Sequence, residues 1–405
     1  MPKRKRRKAD SGPAPAQPPR VGLGALFWIF FRIACTSFGG FMAMIAVVQN
    51  VVVERRRLLG HQDMLDGISL AQLLPGPIAV NVCAYVGYRL RGGAGAFVAA
   101  AAAILPAFAL IVALAYAYFR WGEMPAVSRV FQGFVPAVAA IIVGAAWNMG
   151  RKAVTEWRAG AIAAAAFAVL LGIGGFYSTL AVILGAGLIG WLLFRGETGV
   201  AARKRAAPGR RSRAHEFLLA APLAGVAPLL AFEPSVLGKL FAVFAGMSVV
   251  LFGGGYVFIP LIQEIVVDTH HWVTPREFVD GIALGQITPG PILVSAAFIG
   301  YKVAGLAGAA VATVGIFAPP AAIMVGAAHV LERIKHSKAI VAAFQGIRPA
   351  VVGMIFAAAV IVGQTAAPVW YSAAIFAAAL VALVRFKVEA VWIIPAAGLL
   401  GLVLY

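Results

Sequence analysis

The sequence predicts an all-α polytopic membrane protein made of two inverted-topology repeats, whose broken or re-entrant helices meet near the membrane midplane. Three observations lead there. The 405 residues are 62% hydrophobic and only 12% charged, with a mean hydropathy of +0.91, too apolar for a soluble globule. The chain also repeats itself: Phe38-Gly39-Gly40 returns as Phe252-Gly253-Gly254, and Pro75-Gly76-Pro77-Ile78 as Pro289-Gly290-Pro291-Ile292. The repeated motifs are helix breakers within apolar sequence, and a membrane unit duplicated with its breaks in matching places is the pattern of a secondary transporter.

Residues 1–22 form a basic tail in which Lys3, Arg4, Lys5, Arg6, Arg7 and Lys8 precede Pro- and Ala-rich sequence. With no apolar run before a cleavage-like site, it reads as disordered cytoplasmic chain and not as a signal peptide. The first transmembrane repeat, 23–194, holds apolar stretches at 23–53, 64–90, 94–119, 126–149, 159–176 and 178–194. A basic cytoplasmic linker, 195–214, leads to a connecting transmembrane helix, 215–233. The second repeat, 234–405, restarts the pattern and closes with spans near 366–384 and 388–404.

An offset of 214 aligns Gln49 with Gln263, Asp66-Gly67-Ile68 with Asp280-Gly281-Ile282, and Gln72 with Gln286. After one deletion, an offset of 213 aligns Gly87-Tyr88-Arg89 with Gly300-Tyr301-Lys302, Pro106 with Pro319, and Phe131-Gln132-Gly133 with Phe344-Gln345-Gly346. Chance does not hold that register through so many polar, Gly and Pro positions, so the chain is read as an internal duplication.

The net charge of +19 lies mainly in the tail, the linker and short loops, where basic residues fix orientation; nucleic acid is not an expected partner. The positive-inside rule puts the N-terminus and the linker in the cytoplasm and the C-terminus outside. Arg55-Arg56-Arg57 obeys it only if segment 23–53 turns back at Phe38-Gly39-Gly40. Each arm of about 14 residues would reach roughly 21 Å, enough to touch the midplane of a core about 30 Å thick. Two re-entrant hairpins plus four spans per repeat satisfy the rule; making every apolar segment cross gives about thirteen spans instead. Both counts put an odd number of crossings between the repeats, so the second is upside down relative to the first.

Pro-Gly-Pro cannot continue a helix, since Pro75 removes a donor and clashes backward while Pro77 suits the start of a new one. New helices are therefore expected at Pro77 and Pro291, and others near Phe41 and Gly255 after the glycine pairs. Four helix N-termini, each worth roughly +0.5 of a charge, would sum to about +2 where they converge, a receptor for a dianion. Ser37, Phe38, Gly39, Gly40, Pro75, Gly76, Pro77 and Asn81 are the expected substrate-binding residues of the first repeat. Gly253, Gly254, Gly255, Pro289, Gly290 and Pro291 are those of the second. The competing reading is that the breaks only kink helices or let them pack closely.

Charge placement selects an anion. Glu54, Asp66, Glu123, Glu264, Asp268, Asp280 and Glu332 are expected near segment ends or in loops, whereas a cation path needs embedded acids. The interior charges are Arg32 and Arg348, either of which can grip an oxyanion bidentately; the alternative is snorkelling or a structural ion pair. Gln49, Gln72, Gln263, Gln286 and Gln345, with Asp66 and Asp280, are candidates for gating or support, and Arg89 and Lys302 are expected to snorkel.

Ser37-Phe38-Gly39-Gly40 and Leu74-Pro75-Gly76-Pro77, with their copies, resemble the chromate ion transporter family in its long, two-domain form, over nearly everything after residue 22. The resemblance implies efflux of chromate across a bacterial inner membrane, giving chromate resistance, with sulfate as a rival dianion of like charge and shape. The second repeat departs from strict equivalence with Thr288 before its Pro-Gly-Pro and a third glycine, Gly255. Expected partners are chromate, sulfate as its competitor, and membrane lipids; homodimers are common among such transporters. No cofactor or metal is called for: the chain lacks a GxxxxGK[ST] loop, and Cys35 and Cys83 lack repeated partners. A membrane-embedded enzyme would want clustered acids or a nucleophile with its base, whereas His61, His270 and His271 lie in loops.

Overall fold

The structure, a computed structural model, describes residues 21–37, 40–122, 124–194, 235–252, 255, 258–328 and 337–405. Phe38, Gly39, Gly253, Gly254 and the expected connecting helix at 215–233 lie outside the described residues. Among the described residues all regular structure is helical.

The first repeat runs through α1 (Leu23–Thr36), α2 (Gly40–Gln49), α3 (His61–Leu73), α4 (Ile78–Trp121), α5 (Pro125–Ala153), α6 (Trp157–Gly172) and α7 (Phe176–Phe194). The second runs through α8 (Val236–Val250), α9 (Phe258–Gln263), α10 (Pro275–Ile287), α11 (Ser295–Ala328), α12 (Lys338–Gly363), α13 (Trp370–Val384) and α14 (Ala390–Leu404). The two series match helix for helix, down to irregular detail. A π-helical turn follows α2 at Asn50–Arg55 and α9 at Glu264–Thr269. Each is followed by a non-glycine residue with positive φ, Arg57 at 49° and His271 at 51°, a conformation uncommon enough to mark common descent of the two units. At the second glycine break Gly255 stands in a 3-10 turn, and the α-helix is described from Phe258.

Helix α3 and the first arm of α4, 78–90, form an antiparallel hairpin with Gly76 at its tip. Gly67 lies against the ring of Tyr85, and Asp63 pairs with Arg89 at 2.6 Å; both pairs straddle Gly76 evenly. The second repeat does the same about Gly290, with Gly281 against Phe298 and Glu277 paired to Lys302 at 2.9 Å. Arg89 and Lys302 therefore clamp the hairpin arms together and do not simply snorkel. Each arm of about 13 residues spans roughly 20 Å, half the reach of a crossing helix and its loops.

A second reversal follows. Arg91 and Gly92 leave helical geometry, with Gly92 at φ 63°, and Ala304 and Gly305 do the same, with Gly305 at φ 59°. Gly87 consequently touches Gly95, and Gly300 touches Gly308, pairs that a straight helix would hold about 12 Å apart. The chain then runs on as the long arms 93–121 and 306–328. Among the described residues, five helices are long and apolar enough to cross a bilayer: Ile78–Trp121, through its second arm, Pro125–Ala153, Tyr177–Phe194, Ile292–Ala328 and Ala339–Gly363. The protein is a polytopic helical membrane protein.

The repeats interlock. The long helices α5 and α12 pack on each other; α5 carries α13 and α14 of the second repeat, and α12 carries α6 and α7 of the first. Glycines make both crossings close: Gly133 meets Ala397 and Gly401, and Gly346 meets Ala186 and Gly190, with no room for a Cβ. Gly133→Leu or Gly346→Leu should lower the melting temperature of the detergent-solubilised protein sharply, because backbone must move aside. Gly246→Ala, at a helical position with nothing within 4 Å, should leave it unchanged or raise it slightly.

Candidate functional site

Each Pro-Gly-Pro tip is bonded to the glycine break of the other repeat. The N–H of Gly76 donates to the carbonyl of Leu251 at 2.6 Å, and the N–H of Gly290 donates to the carbonyl of Ser37 at 3.1 Å. Leu251 and Ser37 are the residues that end α8 and α1, where helix geometry orphans carbonyls. Gly255 packs on Ile292 and Leu293 at the start of the second new helix, so the breaks form one connected chain. The amides of Gly76 and Gly290, just before the expected helix starts, are spent on holding the repeats together. After Pro77 the first-turn amides have no helical carbonyl to reach, while after Pro291 the chain starts as a 3-10 turn in which Val294 donates to the Pro291 carbonyl at 3.0 Å, leaving the amides of Ile292 and Leu293 as the donors of that start.

The tips sit against the middle of the long arms. Gly76, at φ 97°, lies on Pro320, and Gly290, at φ 124°, lies 3.3 Å, measured from an added Cβ, from the methyl of Ala107. Ala107 is the central residue of the arm 93–121, which is roughly 43 Å long. Pro106 and Pro319 each remove one helical hydrogen bond at that level, although the helices run on through them. The matched prolines were legible in the sequence; that the residues just after them, Ala107 and Pro320, would form the wall behind the tips was not.

The polar residues of the tips are buried and differ between repeats. Pro75, Gly76 and Pro77 are buried, as are Pro289, Gly290 and Pro291. The amide of Asn81 donates to the Pro75 carbonyl at 3.0 Å, while its oxygen, fully buried, has no partner among the described residues. At the equivalent place Ser295 donates to the Ile292 carbonyl at 2.8 Å, and Thr288 donates to the Gly285 carbonyl at 2.8 Å. Ser37 donates to Ile33 at 2.6 Å, holding the end of α1.

Other expected residues spread out. Gln286 is half-buried beside the second tip, and its amide nitrogen has no partner among the described residues, whereas Gln72, its counterpart, is exposed. Gln49 is half-buried and Gln345 exposed. Gln263 lies apart, lining a small cavity of about 120 Å³ with Glu264 and Asp268. Arg32 on α1 and Arg348 on α12 are both exposed, not enclosed among apolar side chains as interior charges would be. Phe344, one turn before Arg348, packs its ring on Phe252 of the second glycine break, with centroids 5.8 Å apart. Asp66 is half-buried and accepts from Gln62, but Asp280, expected at the interface, is 1% exposed beneath Tyr118 of the first repeat.

A larger cavity of about 1190 Å³ lies elsewhere, between α5–α6 and α12–α13, lined almost entirely by apolar groups. Its polar members are Arg151 and Gln364, at matched positions, with Ser372. Such a lining cannot desolvate a doubly charged ion favourably, so the breaks and not this groove are the candidate site.

The tips also order the sensitivity of the two glycines. Gly76→Ala meets both a left-handed backbone and the Pro320 ring, and should cost about 3 kcal/mol or more. Gly290→Ala faces the smaller Ala107 and should cost about 1–3 kcal/mol, chiefly from φ strain. Thermal melting of both variants in one detergent checks the order, and equal melting temperatures would contradict the packing at Pro320.

The comparisons with known proteins agree on the class. The sequence profile of the family described as Chromate transporter matches twice, over residues 24–191 and 238–402. The chain is 30% identical over 396 residues to a chromate transport protein of Cupriavidus metallidurans, covering 96% of this chain and 94% of that one. It is 30% identical over 401 residues to a chromate transport protein of Pseudomonas aeruginosa, with 97% and 95% covered. An uncharacterized transporter of Methanocaldococcus jannaschii is 32% identical over 315 residues, 77% of each chain. No solved structure matches significantly. The chain is a transporter and not an enzyme, and it belongs to the chromate transporter family.

Proposed function

We propose that this protein exports chromate across the inner membrane of a bacterium by alternating access and so confers chromate resistance. The observation that carries the reading is the connected chain of four helix breaks, bonded tip to break across the repeats, at the centre of the long arms. If those arms cross the bilayer, the breaks lie at its midplane, where irregular backbone is tolerated only around a cavity or a bound polar group. First-turn amides at Pro77 and Pro291 then present positive dipole ends to a tetrahedral dianion, with Arg32 and Arg348 accessible to receive it.

The repeats are read as inverted, with the N-terminus and the linker cytoplasmic and the C-terminus outside. Rocking one hairpin against the opposite long arm would exchange exposure of the site between the two faces. With the interior negative, outward movement of two negative charges releases about 4.6 kcal/mol per 100 mV, from about 2.3 per unit charge. Sulfate shares the charge and shape of chromate and is the rival substrate.

Proteoliposomes loaded with labelled chromate or sulfate under an imposed potential test this reading. Chromate should leave toward the positive side, with sulfate slower. Arg348→Gln and Arg32→Gln should each cut flux about tenfold or more with insertion intact, from the loss of one charge-assisted contact. Full flux in both variants would remove the arginines from the site.

A further inference from the structure

Asp280 is a carboxylic acid sealed between the two repeats. It lies on α10, two turns before the second tip, and is 1% exposed. Oδ2 accepts a hydrogen bond from the hydroxyl of Tyr118, on the long arm of the first repeat, at 2.7 Å. Oδ1 is buried with no partner among the described residues.

The charges around Asp280 leave an ionised form poorly supported. Arg276, one turn earlier, has its Nε 3.9 Å from Oδ2, and its Nη2 is spent on Ser128 of α5, at 2.8 Å to the hydroxyl and 3.2 Å to the carbonyl. Glu277, the like charge on the same helix, is held by Lys302 of α11 at 2.9 Å. Arg120 of α4 and Arg129 of α5 are exposed, and α14, which also packs on α10, has no ionisable side chain within Ala390–Leu404. A buried carboxylate with one neutral donor and a distant, shared guanidinium is expensive, whereas the neutral acid is not.

The first repeat does not build this site. Asp66 is half-buried and accepts from Gln62 of its own helix at 3.1 Å, and the offset of 213 sets Leu331 against Tyr118. The hydrogen-bond donor over Asp280 is therefore a phenol from the opposite repeat, on the arm that must move if the hairpins exchange exposure.

We propose that Asp280 is a proton-binding site that couples proton entry to chromate exit, loaded when Tyr118 covers it and released when α4 withdraws. This deepens the transport reading above and rests on it. In each cycle the carboxylate takes one proton from water on the outer face, becomes the neutral acid beneath Tyr118, and returns that proton to water inside as the dianion leaves. No other reactant is needed.

The test uses the purified full chain in proteoliposomes, with the potential clamped at zero by potassium and valinomycin and a pH dye inside. For the wild type, a pH gradient should raise chromate flux several-fold, and a chromate gradient should drive opposite proton flow. D280N should lose both responses, so that its flux with a gradient equals its flux without one. Y118F should keep coupling but displace the midpoint of the pH dependence, which a packing role alone would not do; it also carries the test if D280N does not insert. Wild-type chromate flux indifferent to the gradient, a D280N response equal to wild type, or an unshifted Y118F midpoint would each overturn the proposal. Absence of any chromate flux under a potential would instead sink the transport reading.

Discussion

Two backbone hydrogen bonds, from Gly76 to Leu251 and from Gly290 to Ser37, bear on everything else in this protein. A helix broken inside a bilayer strands donors and acceptors where no water reaches them, at several kcal/mol each. Here each break supplies what the other lacks: a tip amide freed by Pro-Gly-Pro meets a carbonyl freed at the end of α1 or α8. The pairing crosses between repeats, so neither hairpin is complete without the opposite unit. Glycine is required at both tips because φ is positive there and the opposite long arm leaves little or no space for a Cβ.

Duplication set the skeleton and divergence set the chemistry. The clamp Asp63–Arg89 and its copy Glu277–Lys302 keep the same geometry with different residues, since any acid and base of suitable reach will close two helical arms. At the tips the copies diverge: Asn81 is replaced by Ser295, Leu74 by Thr288, and Ala107 by Pro320 at the matched positions. The tip regions are thus alike in backbone and unlike in side chains.

The apolar groove between α5–α6 and α12–α13 shows why volume is a poor guide in a membrane protein. It is roomy because small residues line it, and apolar because its surroundings are lipid-like. A dianion needs donors more than space, and donors occur where helices stop. Two of the buried polar atoms without partners among the described residues, Asn81 Oδ1 and Gln286 Nε2, lie beside the tips.

Much of this was written in the chain. Apolar composition required membrane helices, the shared offset required two equivalent units, and Pro-Gly-Pro required interruption at Pro75 and Pro289, because each follows from local covalent geometry or from hydropathy alone. Which atoms those interruptions would satisfy was not legible. Hydrogen-bond partners more than 170 residues apart leave no local trace, and neither Leu251 nor Ser37 is chemically marked as an acceptor. The same holds for Asp280: the sequence reads it as interfacial, and packing against the other repeat, with Tyr118 bonded to its carboxyl, buries it. Sequence settled where the helices must stop; packing between repeats decided what meets at the stops, because that contact depends on how two distant surfaces come together in space.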